Sequence, residues 1–291
     1  MAQHNADRAA GWNDQSGERW VAHQTRLDAI AAVFGQAAIE AAAPATGERV
    51  LDVGCGAGAS SLALAARAGA GGQVLGVDIS EPLIGRARAL APRDTPVLFR
   101  LADASSAELP EGAFDILFSR FGVMFFGDPT GAFAHMRRAL KPGGRVAFVC
   151  WRGVAENDWM RLPMGAINGI VPSTAAPDPE APGPFSFGDP ERVTRILTAA
   201  GFTDIAIAPF DASVPFGEGA TRDAAIDDAV KMTLEVGPLS RALVDQPDDI
   251  RARASAAVRA AFEGRAGERS VMIDGATWIV TARNPAQADS D

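Results

Sequence analysis

The sequence predicts an α/β fold in which a doubly wound, mainly parallel sheet carries helices on both faces. Three observations lead there. Short apolar runs at 49–53, 73–77, 97–101, 114–119 and 145–151 alternate with helix-forming stretches, as repeated βαβ units do. The first run meets a turn with glycine at alternate positions, Gly54, Gly56 and Gly58, and a helix-forming stretch from Ser60 to Ala68 follows at once. Acids mark the ends of the first three runs: Asp52, Asp78 and Asp103. In an open α/β sheet the ligand lies outside the carboxyl ends of the strands, so these acids share the ligand's side.

The elements follow in order. Residues 12–43 read as helices, with Trp20, Gln24, Leu27 and Ala31 at helical spacing and an Ala-rich run at 37–43. Pro44 and Gly47 stop that segment. Lys141-Pro142-Gly143-Gly144 reads as the turn between a helix starting near Pro129 and the fifth strand. Residues 190–200 form another helix, with Gly201 just past its end, and strand-like runs follow at 203–210 and 276–282. Two insertions interrupt this core. The first, 152–189, carries Pro172, Pro177, Pro179, Pro182 and Pro184, too many for a continuous helix, and is expected to cross the ligand pocket as a lid or wall. The second, 215–269, reads as mainly helical. The expected organisation is a single domain over 1–291: a helical cap (12–46), a ligand-binding core (47–151), the proline-rich lid, the rest of the core (190–214 and 270–285), and the helical insertion. Residues 286–291 read as a frayed tail.

Composition narrows the function. A net charge of −9 argues against a nucleic-acid partner, which calls for a basic surface. Two cysteines, Cys55 and Cys150, fit neither a disulfide framework nor a zinc site, and no acidic cluster has metal-ligand spacing. The start is polar, and no run approaches the roughly 18 apolar residues of a membrane span. The expectation is a cytoplasmic protein with no membrane insertion. Its oligomeric state is not written in the sequence.

The charge at the glycine turn selects the ligand. Gly54, Gly56 and Ala59 also have the spacing of a loose dinucleotide fingerprint. Asp52, however, would set a carboxylate against a pyrophosphate, which costs free energy in a partly dry site. It would attract a ligand carrying an ammonium and a sulfonium, such as S-adenosylmethionine. Asp78 lies about 20 residues beyond the turn, where an acid accepts from ribose hydroxyls. Asp103 is placed to accept from an adenine amino group, with the Ala104 amide donating to a ring nitrogen.

Several stretches together resemble the class I S-adenosylmethionine-dependent methyltransferases. They are Leu51-Asp52-Val53-Gly54-Cys55-Gly56-Ala57-Gly58, Gly76-Val77-Asp78-Ile79-Ser80, Ala102-Asp103-Ala104, Phe114-Asp115-Ile116-Leu117-Phe118-Ser119 and Leu140-Lys141-Pro142-Gly143-Gly144. They stand in the family's order and cover roughly residues 47–151. Within the class the chain is most similar to the small-molecule branch of ubiquinone and menaquinone biosynthesis methyltransferases. Trp12-Asn13-Asp14, Gly17-Glu18-Arg19-Trp20 and the run Ser119 to Phe126 look like a bacterial subgroup of that branch. The resemblance implies a Rossmann-like seven-stranded sheet in the order 3-2-1-4-5-7-6 with the last strand antiparallel. It implies S-adenosyl-L-methionine as cofactor and S-adenosyl-L-homocysteine as product. The cofactor site it implies comprises Trp20, Asp52, Gly54, Gly56, Gly58, Asp78, Ile79, Asp103, Ala104 and Ser119.

The acceptor side is less legible. The Asn/Asp-Pro-Pro-aromatic motif of nucleobase methyltransferases is missing after the fourth strand. Arg120 reads either as the partner of a substrate or cofactor carboxylate or as a side chain reaching to solvent. Phe121, Met124, Trp151 and Trp159 are the pocket candidates, and they favour a small apolar or aromatic acceptor at O, C or N; Phe125 and Phe126 divide between core and pocket wall. Among His4, His23 and His135, only His23 is a candidate base, one turn after Trp20, and there is no tyrosine. Methyl transfer is an in-line displacement, so positioning is expected to outweigh acid or base chemistry. Two other readings stay open: a nucleotide-dependent oxidoreductase, and a cofactor-binding regulatory protein that transfers nothing.

Overall fold

The structure, a computed structural model, describes residues 15–172 and 178–286. Trp12, Asn13, Asp14, His4, Pro177 and residues 287–291 lie outside the described residues. The helices are α1 (Gln15–Ala22), α2 (Gln24–Ala42), α3 (Ala59–Ala68), α4 (Glu81–Leu90), α5 (Pro129–Arg137), α6 (Asp158–Ala166), α7 (Pro190–Ala199), α8 (Arg222–Glu235), α9 (Pro238–Ala242) and α10 (Asp248–Glu263). The strands are β1 (Arg49–Val53), β2 (Gln73–Asp78), β3 (Val97–Leu101), β4 (Phe114–Arg120), β5 (Leu140–Trp151), β6 (Thr203–Glu218) and β7 (Ser270–Arg283).

The seven strands lie in the order β3-β2-β1-β4-β5-β7-β6. The first five pair in parallel and β7 runs antiparallel to β5, in agreement with the order that the resemblance implies. A parallel sheet covered on both faces needs apolar residues on both sides of each strand. Hence Val50 and Leu51, Ile116 to Phe118, and Val146 to Cys150 are all fully buried. Each fully buried Leu, Ile or Phe side chain here contributes about 1.5–3 kcal/mol.

Register sets the site. Asp52 stands opposite Gly76 on one side and Phe118 on the other. Asp78 stands opposite Leu101, so Asp103 lies two residues beyond that pair. The carboxyl ends of β1, β2, β3 and β4 therefore converge.

Among the described residues the chain divides into two compact units. The first comprises 15–151, 179–210 and 277–286; the second comprises 152–172, 178 and 211–276. In the first, Phe133, Phe148, Phe187 and Phe202 pack ring against ring, with Phe133 between 5.7 and 6.4 Å from the other three. Helix α2 ends with Ala43 at φ 45°, ahead of Pro44. Arg145 of β5 donates to the Ala42 and Ala43 carbonyls at 2.6 and 2.7 Å, satisfying the end of the helix with a cation. The same guanidinium holds Glu48 at 2.6 Å and lowers its pKa.

In the second unit α10 packs against both α6 and α8. Phe262 of α10 meets Phe216 of β6 at 5.7 Å. Asn157 is fully buried and imitates a strand: its side chain donates to the Ala276 carbonyl at 3.1 Å and accepts from the Ala276 N–H at 2.9 Å. Asp158, 2% exposed, is paired with Arg161 and with Arg265.

Three elements depart from the sequence reading. Lys141 to Gly144 does not precede β5 but bulges within it, since Phe114 pairs with Leu140 and Ile116 pairs with Arg145. The strand runs expected at 203–210 and 276–282 extend to Glu218 and back to Ser270. Within the extended β6, Gly217 allows close approach of α8, for a Cβ at that position would lie 2.3 Å from the Ala225 carbonyl oxygen. Residues 179–189, expected to belong with the rest of the 152–189 insertion, group with the first unit.

Candidate functional site

The turn after β1 is built for close approach. Gly54, Gly56 and Gly58 have φ of 67°, 55° and 91°, conformations that side chains resist. A Cβ at Gly54 would lie 2.8 Å from the Gly122 α-carbon, and one at Gly58 would lie 2.7 Å from the Phe99 ring. Gly56 differs, because a Cβ there would meet nothing within 4 Å. The Val77 carbonyl accepts from the Gly54 and Cys55 N–H groups at 2.8 and 3.2 Å, which fastens the turn to the end of β2. Helix α3 starts immediately afterwards, with its positive end at the turn. Burial pushes the Cys55 thiol pKa up, so it offers no ready thiolate.

Asp78 supports the turn from the next strand. Its Oδ2 accepts from the Gly56 N–H at 2.8 Å, and its Oδ1 accepts from the Ser80 N–H at 2.9 Å. Burial raises its pKa, and the N–H groups of Ser80, Gly56 and Ile79 oppose that rise. Asp103 is half-buried, and its Oδ1 accepts from the N–H and the hydroxyl of Ser105 at 2.9 and 2.6 Å. Ala104 beside it is buried.

Asp52 departs from the expectation that it contacts the ligand directly. It is fully buried inside the arc of the turn, where its Oδ2 accepts from the hydroxyls of Ser60 and Ser61 at 2.7 and 2.6 Å. Its Oδ1 has no hydrogen-bond partner among the described residues. Burial pushes its pKa up to about 6, against the two serine hydroxyls that lower it. At neutral pH the carboxylate is therefore mostly ionised. It acts on the turn through charge and through the first turn of α3. Ser60 and Ser61 escape a reading by sequence, because helix-start serines usually serve as caps.

Ser119 and Arg120 are also corrected. Ser119 is fully buried; its hydroxyl donates to the Val53 carbonyl at 2.7 Å and accepts from the Gly122 N–H at 3.1 Å. It ties the ends of β1 and β4 together instead of facing a ligand. Arg120 neither reaches to solvent nor stands ready for a ligand carboxylate: it pairs with Asp28 of α2 at 2.5 Å. Gly35 of α2 lets the arginine stem lie against the helix. The other oxygen of Asp28 accepts from Gln24 at 2.9 Å, and Gln24 accepts from Arg86 of α4 at 3.2 Å. This polar relay runs from the helix after β2 to the end of β4, which are the strands flanking β1. In the sequence Asp28 and Gln24 are visible only as an i, i+4 pair within a helical stripe.

Beyond Arg120 the chain turns sharply. Phe121 has φ 60°, a left-handed conformation that costs a bulky residue about 1–2 kcal/mol. Its N–H donates to the Val149 carbonyl at 3.0 Å, which holds it there. Its ring stacks on Trp151 with centroids 4.2 Å apart and planes 13° apart. Phe34 of α2, fully buried, meets Phe121, Trp151 and Phe210 edge to face at 6.1, 5.3 and 6.1 Å. Phe34 and Phe210 complete this cluster unannounced by any local motif.

The remaining candidates separate. Met124 is 1% exposed and belongs to the core, where its sulfur takes the Trp151 N–H at 3.4 Å, so it is no pocket wall. Trp159 lies in α6 of the second unit. Trp20 lies on α1 and is 37% exposed. His23 stands between α1 and α2, where its carbonyl accepts from the Arg26 and Leu27 N–H groups. His135 has both ring nitrogens committed: Nε2 lies 2.8 Å from the Ala107 carbonyl oxygen, and Arg138 donates to Nδ1 at 2.7 Å. Both contacts tie the ring to its own helix and to the loop after β3, a structural role. Among the described residues no group of acids, histidines and cysteines could hold a metal ion. Among the same residues no helix is long and apolar enough to cross a membrane.

Residues 51–148 match the family model described as a methyltransferase domain. The chain is 33% identical over 176 residues to a nocamycin O-methyltransferase of Saccharothrix syringae, covering 56% of this chain and 61% of that protein. It is 37% identical over 110 residues to a demethylmenaquinone methyltransferase of Clavibacter sepedonicus, covering 38% and 44% respectively. The matches thus span about half the length of such curated relatives. Among solved structures, the YcgJ protein of Bacillus subtilis superposes with a TM-score of 0.56 at 17% identity, covering 87% of this chain and 98% of that one. Phosphoethanolamine N-methyltransferase 2 of Haemonchus contortus, in complex with S-adenosyl-L-methionine, gives a TM-score of 0.51 at 20% identity, covering 86% and 52%. These structural likenesses are of fold.

Proposed function

We propose that this chain, whose residues 51–148 match the model of a methyltransferase domain, transfers a methyl group from S-adenosylmethionine to a small-molecule acceptor. The observation that carries this reading is the coupling of Gly56 to Asp78. The α-carbon of Gly56 faces open space, and its N–H is held at 2.8 Å by a carboxylate at the end of the neighbouring strand. A side chain at Gly56 would fill the space in which a nucleoside would lie. The ionised carboxylate of Asp52 inside the same turn favours a cationic ligand over a pyrophosphate.

The residues fit the cofactor. The Asp78 carboxylate already accepts from the N–H groups of Gly56, Ser80 and Ile79 and retains acceptor capacity for a ribose hydroxyl. Asp103 and Ala104 would hold the base, and Gly54 to Gly58 the amino-acid end. When bound, S-adenosylmethionine supplies an electrophilic methyl group on a sulfonium. What the chain adds is alignment and exclusion of water. Good alignment of reacting groups is worth roughly 7–11 kcal/mol of barrier in favourable cases. His135 is already committed to Ala107 and Arg138, which leaves His23 as the histidine to test as a base.

Incubation with methyl-labelled cofactor and a bacterial metabolite extract tests the proposal. The expected outcome is label in a low-mass organic product, with S-adenosylhomocysteine formed in equal amount. Hydride exchange with a nicotinamide cofactor, and no labelled product, would overturn it.

A further inference from the structure

Phe121 stands in a left-handed backbone conformation just past the end of β4. Few structural needs would hold a phenylalanine at φ 60° at the end of a sheet strand, where glycine or asparagine fits without strain. Strain of this kind persists where the surroundings over-determine it, and it clusters at ligand sites. Here the surroundings are specific. The Phe121 N–H is taken by Val149 at 3.0 Å, and the following N–H, that of Gly122, is taken by Ser119 at 3.1 Å. Gly122 in turn lies against the glycine turn, since a Cβ on Gly54 would come within 2.8 Å of its α-carbon. The residue that follows the strained one thus lies against the proposed cofactor loop.

The strain fixes where one ring sits. Phe121 lies flat on Trp151, 4.2 Å apart and 13° from parallel, and both residues remain partly exposed. Phe34, fully buried, braces the pair from the side with edge contacts to both rings. Both rings also pack against the hydrophobic core of the first unit, which fixes the pair from beneath. A braced, parallel, partly exposed pair at the ends of β4 and β5 is a rigid π-surface beside the loop.

We infer that the stacked Phe121–Trp151 pair is the acceptor platform and that it selects planar aromatic acceptors over saturated ones of the same size. This rests on the methyl-transfer reading only for what happens to the acceptor once it is bound. Stacking on an aromatic face adds modestly to simple burial, so the preference should be about fivefold. The left-handed backbone at Phe121 aims the platform, and Trp151 provides its second layer.

The test uses the full chain saturated with S-adenosylhomocysteine, whose binding is measured first by calorimetry. Dissociation constants for 1-naphthol and for its fully saturated counterpart, decahydro-1-naphthol, are then measured by ligand-titration NMR. The wild-type chain should prefer naphthol about fivefold. Phe121→Gly, which suits the left-handed backbone and so should fold, and Trp151→Leu should each reduce the preference below about twofold. Trp151→Phe should retain it, and all three should bind S-adenosylhomocysteine within about twofold of wild type, since the platform lies beside the loop and outside its hydrogen bonds. A wild-type preference below about twofold, including failure of either probe to bind, would overturn the inference. So would a preference that survives Phe121→Gly in a folded variant. Failure to bind S-adenosylhomocysteine would instead count against the methyl-transfer reading itself.

Discussion

Replacing Asp52 by asparagine should remove a pH dependence from folding stability. Asp52 is fully buried, and its pKa is pushed from 3.8 to about 6, chiefly by burial. The folded chain therefore binds this proton more tightly than the unfolded chain does. The resulting stabilisation is fully present below the unfolded value of 3.8 and is lost as pH rises through about 6. A pKa displaced by one pH unit on folding corresponds to about 1.36 kcal/mol, so the whole effect is about 3 kcal/mol, most of which falls between pH 4 and pH 7.5. Asparagine carries no charge at any of these pH values, and its carbonyl can still accept from Ser60 or Ser61. The stability of wild type minus that of Asp52→Asn should thus fall by about 2–3 kcal/mol from pH 4 to pH 7.5. Groups that titrate alike in both proteins cancel in this difference. Urea unfolding followed by circular dichroism at half-unit pH steps measures it. A difference that stays flat, or that rises with pH, would refute the claim that this carboxylate is held dry inside the turn.

Three further outcomes are expected. Gly58→Ala should lower stability by about 2–4 kcal/mol in thermal or urea unfolding, because φ is 91° and the new methyl would press on Phe99 at 2.7 Å. A double-mutant cycle of Asp28→Asn and Arg120→Met should show a coupling of about 0.5–2 kcal/mol, since the pair at 2.5 Å is largely sheltered from water; additive effects would mean that it contributes nothing to holding α2. Once an acceptor is in hand, His23→Ala and His135→Ala should each lower kcat by less than about tenfold, whereas loss of a general base typically costs roughly 10²–10⁴-fold. A thousandfold loss from His23→Ala with cofactor binding intact would make His23 the base.

What can be read from the sequence is what is local. The alternation of apolar runs and helices, the positive-φ glycines and the acid at the end of β2 are each encoded within a few residues. They are therefore legible, down to the sheet order carried by the family resemblance. Errors arise where a side chain's fate depends on a distant partner. Asp52 reads as facing the ligand because its partners, Ser60 and Ser61, lie on the far side of a turn whose path is three-dimensional. Arg120 reads as free for a ligand because Asp28 is 92 residues away in the chain. The same holds for Phe34 and Phe210, which join Phe121 and Trp151 only after the sheet has formed. Met124 is indistinguishable by composition from a pocket residue, and only its packing beneath Trp151 separates the two.

On the proposed function, Asp78, locked to Gly56, would hold the ribose of S-adenosylmethionine. Calorimetric titration of that cofactor into wild type and Asp78→Ala tests it most directly. Wild type should bind with a dissociation constant of about 1–500 μM, within the range common for enzyme ligands. The variant should bind about 10–150-fold more weakly, corresponding to roughly 1.5–3 kcal/mol for charge-assisted hydrogen bonds. No heat of binding with wild type at millimolar cofactor, or equal affinity in a folded Asp78→Ala chain, would contradict the account.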